Sequence, residues 1–179
     1  MYYYRLISSM LKATVSTLLT GLYAVYKAES NANDSLGVYN GTPNGGLGYG
    51  AGISGNAVTF NSVNAYFSLP NSFKLSDSGS NAYSISLWVY LTDVTNLGHG
   101  LFTNFMQNAG NGWGWMLWYY QRKVYFTRRD GTSTSYDIIS PTIALNSWYN
   151  IVATRKNGST KLYINGSLVA SDTSTVSTQ

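Results

Sequence analysis

The chain has 179 residues, and its hydrophobic content of 44% is enough for one domain with a sizeable core, or for one domain with a short appendage. Charged residues make up only 10% and the net charge is +4, so neutral side chains, among them 16 tyrosines, must supply the polar surface. This composition is more typical of all-β and adhesive proteins than of cytosolic enzymes, and the absence of cysteine excludes a disulfide framework and thiolate metal sites.

Residues 1–20 differ in pattern from the rest of the chain. Apolar residues such as Leu6, Met10 and Leu11 recur there at three- and four-residue spacing. We therefore expect an N-terminal arm or an amphipathic helix at about residues 5–19, used for attachment or oligomerisation; an irregular arm and a signal peptide are the alternatives. No stretch approaches the ~20 apolar residues of a membrane span.

Residues 21–179 show the period-2 alternation of half-buried β-strands. Residues 22–27 are predicted to form a first strand, and the glycine-rich residues 45–57 a loop. Residues 147–171 predict three strands joined by hairpin turns at Asn157-Gly158 and Asn165-Gly166. Strands without intervening helical patterns indicate a two-sheet sandwich. The remaining predicted strands are 57–60, 65–69, 83–91, 101–104, 113–120, 123–127 and 135–139.

Three segments carry a family resemblance. They are ESNANDSLGVYNGT at residues 29–42, YSISLWVYL at 83–91 and WYNIVATRKNGSTKLYINGSLVA at 148–170. Together they resemble laminin-G-like (concanavalin A-like) domains over about residues 19–172. The resemblance implies an all-β fold, a two-sheet antiparallel jelly-roll sandwich over residues 21–179 preceded by the short helix or arm.

The resemblance also has a gap at its C-terminal end. The family usually ends with a closing strand beside the first one, and no such strand follows residue 172. An unpaired first strand would leave an open edge. We therefore expect a homo-oligomer or strand completion by another chain, with coverage by the N-terminal arm or a fragmentary chain as alternatives.

Catalytic residue patterns are missing. Glycosidases need two neighbouring carboxylates, but Glu29 is the only glutamate and the six aspartates lie in separate loops. His99 is the only histidine and stands in a glycine-flanked turn. The sequence predicts that the protein is not an enzyme.

A calcium site is expected in the loop where related domains often bind a structural Ca²⁺. Asn31, Asn33 and Asp34 would supply oxygen ligands. The alternative is that these residues are ordinary turn formers.

Aromatic residues concentrate at residues 113–120. If this segment is a strand, one of its faces belongs to the core and the other presents rings on which sugars stack. The predicted carbohydrate-binding residues are Trp113, Trp115, Trp118 and Tyr120, and the alternative is packing in the core or at an interface. Basic pairs at 122–123 and 128–129 suit an anionic glycan or nucleic acid, or are the solvent-facing ends of a hairpin.

The function expected from these features is adhesion by glycan binding. The opening LLTGLYAVYK at residues 18–27 looks like that of domains on bacteriophage fibres and other virion surface proteins. We expect a non-enzymatic module on a virion surface whose partner is a host-surface glycan or another virion protein. The alternatives are a virion decoration or assembly protein that binds no sugar, and a secreted bacterial adhesion domain. No nucleic-acid partner is expected.

Overall fold

A computed structural model of the chain describes residues 21–60, 64–75, 82–92, 97–104, 112, 114–131 and 134–174, and the backbone alone of 2–5, 106–108, 111 and 113. All the regular secondary structure in these ranges is β-strand. These ranges contain no helix that is long and apolar enough to cross a bilayer. The predicted all-β fold is confirmed. The strands are β1 (Tyr2–Arg5), β2 (Thr42–Asn44), β3 (Gly48–Ala51), β4 (Asn56–Phe60), β5 (Tyr66–Ser68), β6 (Tyr83–Tyr90), β7 (His99–Thr103), β8 (Met106–Asn108), β9 (Asn111–Tyr120), β10 (Lys123–Asp130), β11 (Ser135–Ile139), β12 (Trp148–Lys156), β13 (Ser159–Ile164) and β14 (Ser167–Asp172).

The strands fall into two compact units, the first of which comprises Met1–Phe73 and Ser86–Leu91. In this unit β1 pairs antiparallel with β4 on one side and with β6 on the other. β4 also pairs with β3, while β2 and β5 form a separate ribbon. The buried apolar side chains that these strands contribute within the first unit are Ala57, Val58, Leu87 and Val89.

The second unit comprises Lys74–Ile85 and Thr92–Gln179. One of its antiparallel ladders has the strand order β11-β10-β9-β7, with β8 also paired to β9. The other runs β12-β13-β14. Alternate residues on these strands are buried, as half-buried sheets require. The fully buried apolar side chains are Trp115, Leu117, Tyr119, Val124, Phe126, Ile151, Ala153 and Leu162.

The two Asn-Gly turns have the predicted geometry. Asn157 and Gly158 have φ angles of 50° and 81°, and Asn165 and Gly166 have 50° and 80°. Two consecutive positive φ values define the type I′ turn, whose twist matches that of the flanking strands. The three predicted strands of residues 147–171 are confirmed as β12, β13 and β14.

Two local predictions were wrong. Residues 22–27 form only an isolated bridge between Tyr26 and Asp34. The backbone of Val25 is engaged elsewhere, because its N–H binds the Asp34 carboxylate and its carbonyl accepts the N–H of Ser35. In the predicted loop at 45–57, the segment Gly48–Ala51 is strand β3, because pairing with β4 satisfies its backbone despite the glycines.

The predicted N-terminal arm or helix falls largely outside the described residues. Residues 6–20, which hold most of the expected helix at 5–19, are not among them. The backbone of Tyr2–Arg5 is strand β1, held on both sides by antiparallel neighbours. Within the described residues, the N-terminal segment Tyr2–Arg5 is therefore a β-strand of a sheet.

Two adjacent glycines provide a matched test of the first unit. Gly45 and Gly46 have similar φ angles of 71° and 75°, but a Cβ atom on Gly45 would lie 1.9 Å from the carbonyl oxygen of Asn64, whereas one on Gly46 meets nothing within 4 Å. We expect Gly45→Ala to lower the free energy of unfolding by about 2–3 kcal/mol and Gly46→Ala by about 1 kcal/mol. Urea denaturation of both variants measures the difference, and equal losses would contradict the predicted steric clash.

Candidate functional site

Strand β9 has one buried and one partly exposed face. Trp115, Leu117 and Tyr119 are 0–1% exposed, whereas Met116, Trp118 and Tyr120 are half-buried. Successive side chains of a strand point to opposite faces of the sheet, so Trp115, Leu117 and Tyr119 face the core. This alternation agrees with the expectation that one face of the strand belongs to the core.

Trp115 is a core residue. Its indole Nε1 donates to the carbonyl oxygen of Leu75 at 3.2 Å, and its ring lies 5.4 Å from Phe102 and 5.7 Å from Tyr83 between centroids. A sugar cannot reach a side chain that is 1% exposed, so the inclusion of Trp115 among the predicted carbohydrate-binding residues was wrong. The error arose because alternation shows that two faces exist but does not show which one is covered. The backbone of Trp113 lies in β9, and its side chain lies outside the described residues.

Three half-buried rings form a cluster on the opposite face, which we call the aromatic face: Trp118, Tyr120 and Tyr125. The Trp118 centroid lies 4.5 Å from that of Tyr125 and 5.9 Å from that of Tyr120. The indole Nε1 of Trp118 donates to Thr127 Oγ1 at 2.7 Å, which orients the ring. Such a cluster presents a rigid apolar surface with polar edges.

Tyr125 is a residue of the aromatic face that was not predicted from the sequence. It lies directly opposite Trp118, because the two-residue turn at 121–122 places Tyr120 opposite Lys123 and the register then continues. The sequence does contain a signal for this pairing. Residues equally distant from a tight turn lie opposite each other and on the same face of the sheet. Reading β9 and β10 as a hairpin would have grouped the two rings.

Two glycines lie near Trp118, Gly100 on β7 and Gly98 just before this strand. Gly100 lies opposite Trp118 in the ladder, and a Cβ atom there would meet nothing within 4 Å. A Cβ atom on Gly98 would lie 3.0 Å from two carbon atoms of the Trp118 ring, so only glycine lets the backbone approach the ring this closely. The backbone at Gly98 therefore packs against the indole, whereas the open space at Gly100 leaves room for a ligand on the same face of the sheet.

The charges near the aromatic face lie at its two ends. Lys123 is opposite Tyr120 at one end, whereas Arg129 is opposite Gly114 and Asp137 is opposite Thr127 toward the other. The second basic pair predicted from the sequence does not act as a surface pair, because Arg128 is 1% exposed and its Nη2 lies 2.8 Å from the carboxylate of Asp172.

The carboxylate of Asp34, a predicted calcium ligand, is saturated by backbone donors. Its Oδ1 accepts the N–H groups of Val25 and Leu36 at 2.8 and 3.0 Å, and its Oδ2 accepts those of Tyr39 and Val38 at 3.1 and 3.2 Å. Burial raises the pKa of Asp34, but these four donors outweigh burial and hold the pKa below its ordinary value. Four bonds occupy the four lone-pair positions of a carboxylate.

Asp34, the only carboxylate among the three predicted ligands, therefore does not fit a calcium ion in this arrangement. Asn31 Oδ1 accepts the N–H of Asn33, which forms an Asx turn, and Asp34 has no lone pair left for a cation. The described residues also contain no group of three or more His, Cys, Asp and Glu side chains able to hold a metal. Binding of Ca²⁺ elsewhere in the chain stays a prediction.

The antiparallel pairing of these strands is that of an all-β jelly-roll sandwich. Residues 61–179 match the Laminin G 3 family, described as the concanavalin A-like lectin/glucanases superfamily. The chain belongs to this family, as the sequence resemblance predicted. No curated protein matches the sequence.

Solved structures with the same fold are distant in sequence. Domain 4 of AbnA, a GH43 extracellular arabinanase from Geobacillus stearothermophilus solved in complex with arabinotriose, is 23% identical with a TM-score of 0.62, over 80% of this chain and 70% of that one. A structure of botulinum neurotoxin type C is 17% identical with a TM-score of 0.61, over 90% of this chain and 40% of that one. The binding domain of botulinum neurotoxin serotype G is 23% identical with a TM-score of 0.56, over 78% of this chain and 36% of that one.

Proposed function

We propose that this chain is a non-enzymatic carbohydrate-binding module whose aromatic face stacks against sugar rings. The carrying observation is the cluster of Trp118, Tyr120 and Tyr125, whose rings are half-buried and within 4.5–6.4 Å of one another. The C–H groups on one face of a sugar pack well on such rings, and the hydroxyls at the ring edges give specificity. The open space at Gly100, which lies opposite Trp118, gives a sugar access to this face.

The structural neighbours support this proposal through the fold. The arabinanase domain was solved with arabinotriose bound, and botulinum neurotoxin type C depends on interaction with two ganglioside molecules to enter cells. The chain spans only 36–40% of the toxin chains, so the ligands of those proteins are no guide to the sugar. The proposed contacts therefore rest on the residues of this chain.

The first test is removal of single rings. We expect Trp118→Ala and Tyr125→Ala each to weaken glycan binding by roughly tenfold or more. The stacking of one nucleic-acid base on an aromatic side chain, a contact of similar area, is worth about 1–3 kcal/mol. Glycan-array screening of the wild type identifies a ligand, and isothermal titration then measures both variants. Tyr66→Ala is the matched control, because Tyr66 is an aromatic residue that is 54% exposed on β5 in the other unit.

A second variant blocks the site without removing a ring. Gly100→Gln places a side chain in the open space beside Trp118, and the φ of Gly100 lies outside the left-handed region, so the fold tolerates it. We expect binding to fall while the unfolding midpoint stays within a few degrees. A wild type that binds no glycan, or a Gly100→Gln variant that binds as tightly as the wild type, would overturn the proposed site.

The absence of catalysis is part of the proposal. Asp34 and Asp172 are engaged in structural hydrogen bonds, and Glu29 Oε2 accepts the N–H of Asn56 at 2.8 Å. Glycoside hydrolysis by the usual route needs a free acid and a second carboxylate about 5–9.5 Å away. Incubation of the identified glycan with the protein should release no reducing ends.

The setting and the assembly state are proposed from the sequence. We infer a virion surface, with a secreted bacterial adhesion domain as the alternative, and a homo-oligomer. The same aromatic face would suit a decoration or assembly protein if a second copy covered it. Light scattering separates these cases: an oligomer that dissociates in Trp118→Ala favours assembly, and a species of unchanged mass that binds glycan favours adhesion.

A further inference from the structure

The turn between β9 and β10 has an unfavourable sequence for its geometry. Gln121 and Arg122 have φ angles of 46° and 63°, which together make a type I′ turn. The other two-residue turns of this kind, at 157–158 and 165–166, use Asn-Gly, the pair that this conformation favours. Residues with longer side chains are strained in the left-handed region, and such strain is often kept where the side chain has a function.

Arg122 is held in place by reciprocal hydrogen bonds. Its Nε donates to the carbonyl oxygen of Ile143 at 3.1 Å, and the N–H of Ile143 donates to the carbonyl oxygen of Arg122 at 2.8 Å. The side chain of Arg122 is nevertheless exposed. A guanidinium fixed through Nε keeps its planar fork orientated, which lowers the entropy lost when it binds an oxyanion.

A second cation follows immediately. Lys123 is half-buried and lies opposite Tyr120, at the same end of the aromatic face as the turn. The acidic residue Asp137 lies opposite Thr127, beyond the Trp118–Tyr125 pair. Lys123 is thus beside Tyr120 in the ladder and Arg122 precedes it in the turn at this end, whereas Asp137 is toward the far end.

We propose that Arg122 and Lys123 form a subsite for the anionic group of an acidic glycan, a carboxylate or a sulfate ester, whose sugar rings stack on the aromatic face. This inference rests on the proposed function and narrows it to a substrate class. The guanidinium would bind two oxygens of the anion through parallel N–H donors, and the ammonium would add a point charge.

The test compares glycans that differ only in the acidic group. The probes are an oligogalacturonate with its methyl ester, and a sulfated oligosaccharide with its desulfated form. We expect the wild type to bind the acidic member of at least one pair roughly tenfold more tightly, and this preference to fall as salt rises. Comparison of the two pairs distinguishes a carboxylate from a sulfate ligand.

Arg122→Gly is the decisive variant, because glycine fits a φ of 63° and the loss of affinity cannot be attributed to a damaged turn. We expect the acidic preference to fall to about twofold or less, with an unfolding midpoint close to that of the wild type, because relief of the backbone strain offsets the lost bond to Ile143. Gln121→Asn relieves strain in the same turn but keeps both cations, and Lys161→Gln removes an exposed charge from β13. Both controls should keep the preference.

The possible outcomes separate this inference from the proposed function. If the wild type binds the acidic and neutral members equally, or if Arg122→Gly keeps the preference, the acidic subsite is overturned and glycan binding by the aromatic face stands. If the folded wild type binds no member of either pair and no array glycan, both fail. Loss of all binding in Trp118→Ala together with selective loss in Arg122→Gly supports both.

Discussion

Replacement of Asp34 with asparagine is expected to lower the free energy of unfolding by roughly 3–5 kcal/mol, since each buried donor left without an acceptor costs about 1–3 kcal/mol. Asp34 is 4% exposed and accepts four backbone N–H groups. An asparagine keeps one oxygen and turns an NH₂ group toward two of those donors. Urea denaturation at pH 7 measures the loss.

The effect of this substitution should depend on pH. Because the pKa of Asp34 is lowered in the folded state, its contribution to stability is complete above the ordinary carboxyl pKa of 3.8 and is lost as pH falls through the folded value. The gap between the wild type and Asp34→Asn should therefore be constant near neutral pH and narrow below about pH 4. A gap that widens in acid would contradict the assignment.

Two controls accompany this prediction. Asp137→Asn changes an exposed aspartate on β11 and should alter the free energy of unfolding by less than about 0.5 kcal/mol. A calcium chelator should leave the unfolding midpoint of the wild type unchanged if Asp34 acts only through the backbone. A chelator effect abolished by Asp34→Asn would instead make Asp34 a metal ligand and contradict the structural role.

Removal of the Asp172 carboxylate is the second large effect that we expect. Asp172 lies 2.8 Å from Nη2 of Arg128, which is 1% exposed, and it also accepts hydrogen bonds from the hydroxyl and the N–H of Ser174. The pKa of Asp172 is lowered, first by the Ser174 hydroxyl, and the charge of Arg128 adds to this effect. We expect Asp172→Ala to cost about 2–3 kcal/mol, because it leaves a buried cation without its carboxylate while solvent at the 35% exposed Asp172 side chain compensates in part.

A double variant shows whether the buried charge is the cause. Arg128→Met removes the cation, so the Asp172→Ala, Arg128→Met protein should be more stable than Asp172→Ala alone. Ser174→Ala removes only the hydroxyl and should cost about 1 kcal/mol. If the second substitution adds a further loss instead of restoring stability, the cost of Asp172→Ala lies in packing rather than in the uncompensated charge.

The candidate site was only partly predictable. The period of two at residues 113–120 is a property of any strand, and it implies that Trp118 and Tyr120 lie on the face opposite Trp115. Which face is covered depends on packing partners such as Leu75 and Tyr83, and no local pattern contains that information.

The residues that complete the proposed site come from other strands. Tyr125 joins Trp118 through the hairpin register, and Gly100 joins it through the ladder between β7 and β9. The strain at Gln121 and Arg122 is visible only in the backbone angles, because the residue types alone do not suggest a type I′ turn.

The sequence by itself determined the features that depend on near neighbours. The Asn-Gly turns, the alternation of β6 and the family resemblance all follow from residue types at short spacing, and the structure has them as predicted. Only the tertiary structure decided the role of Asp34. Asn31, Asn33 and Asp34 have ligand-type oxygens, but the loop folds four backbone donors around the Asp34 carboxylate and occupies its lone pairs. It likewise decided that Gly48–Ala51 is a strand, because β4 supplies the hydrogen bonds that glycine-rich backbone cannot form alone.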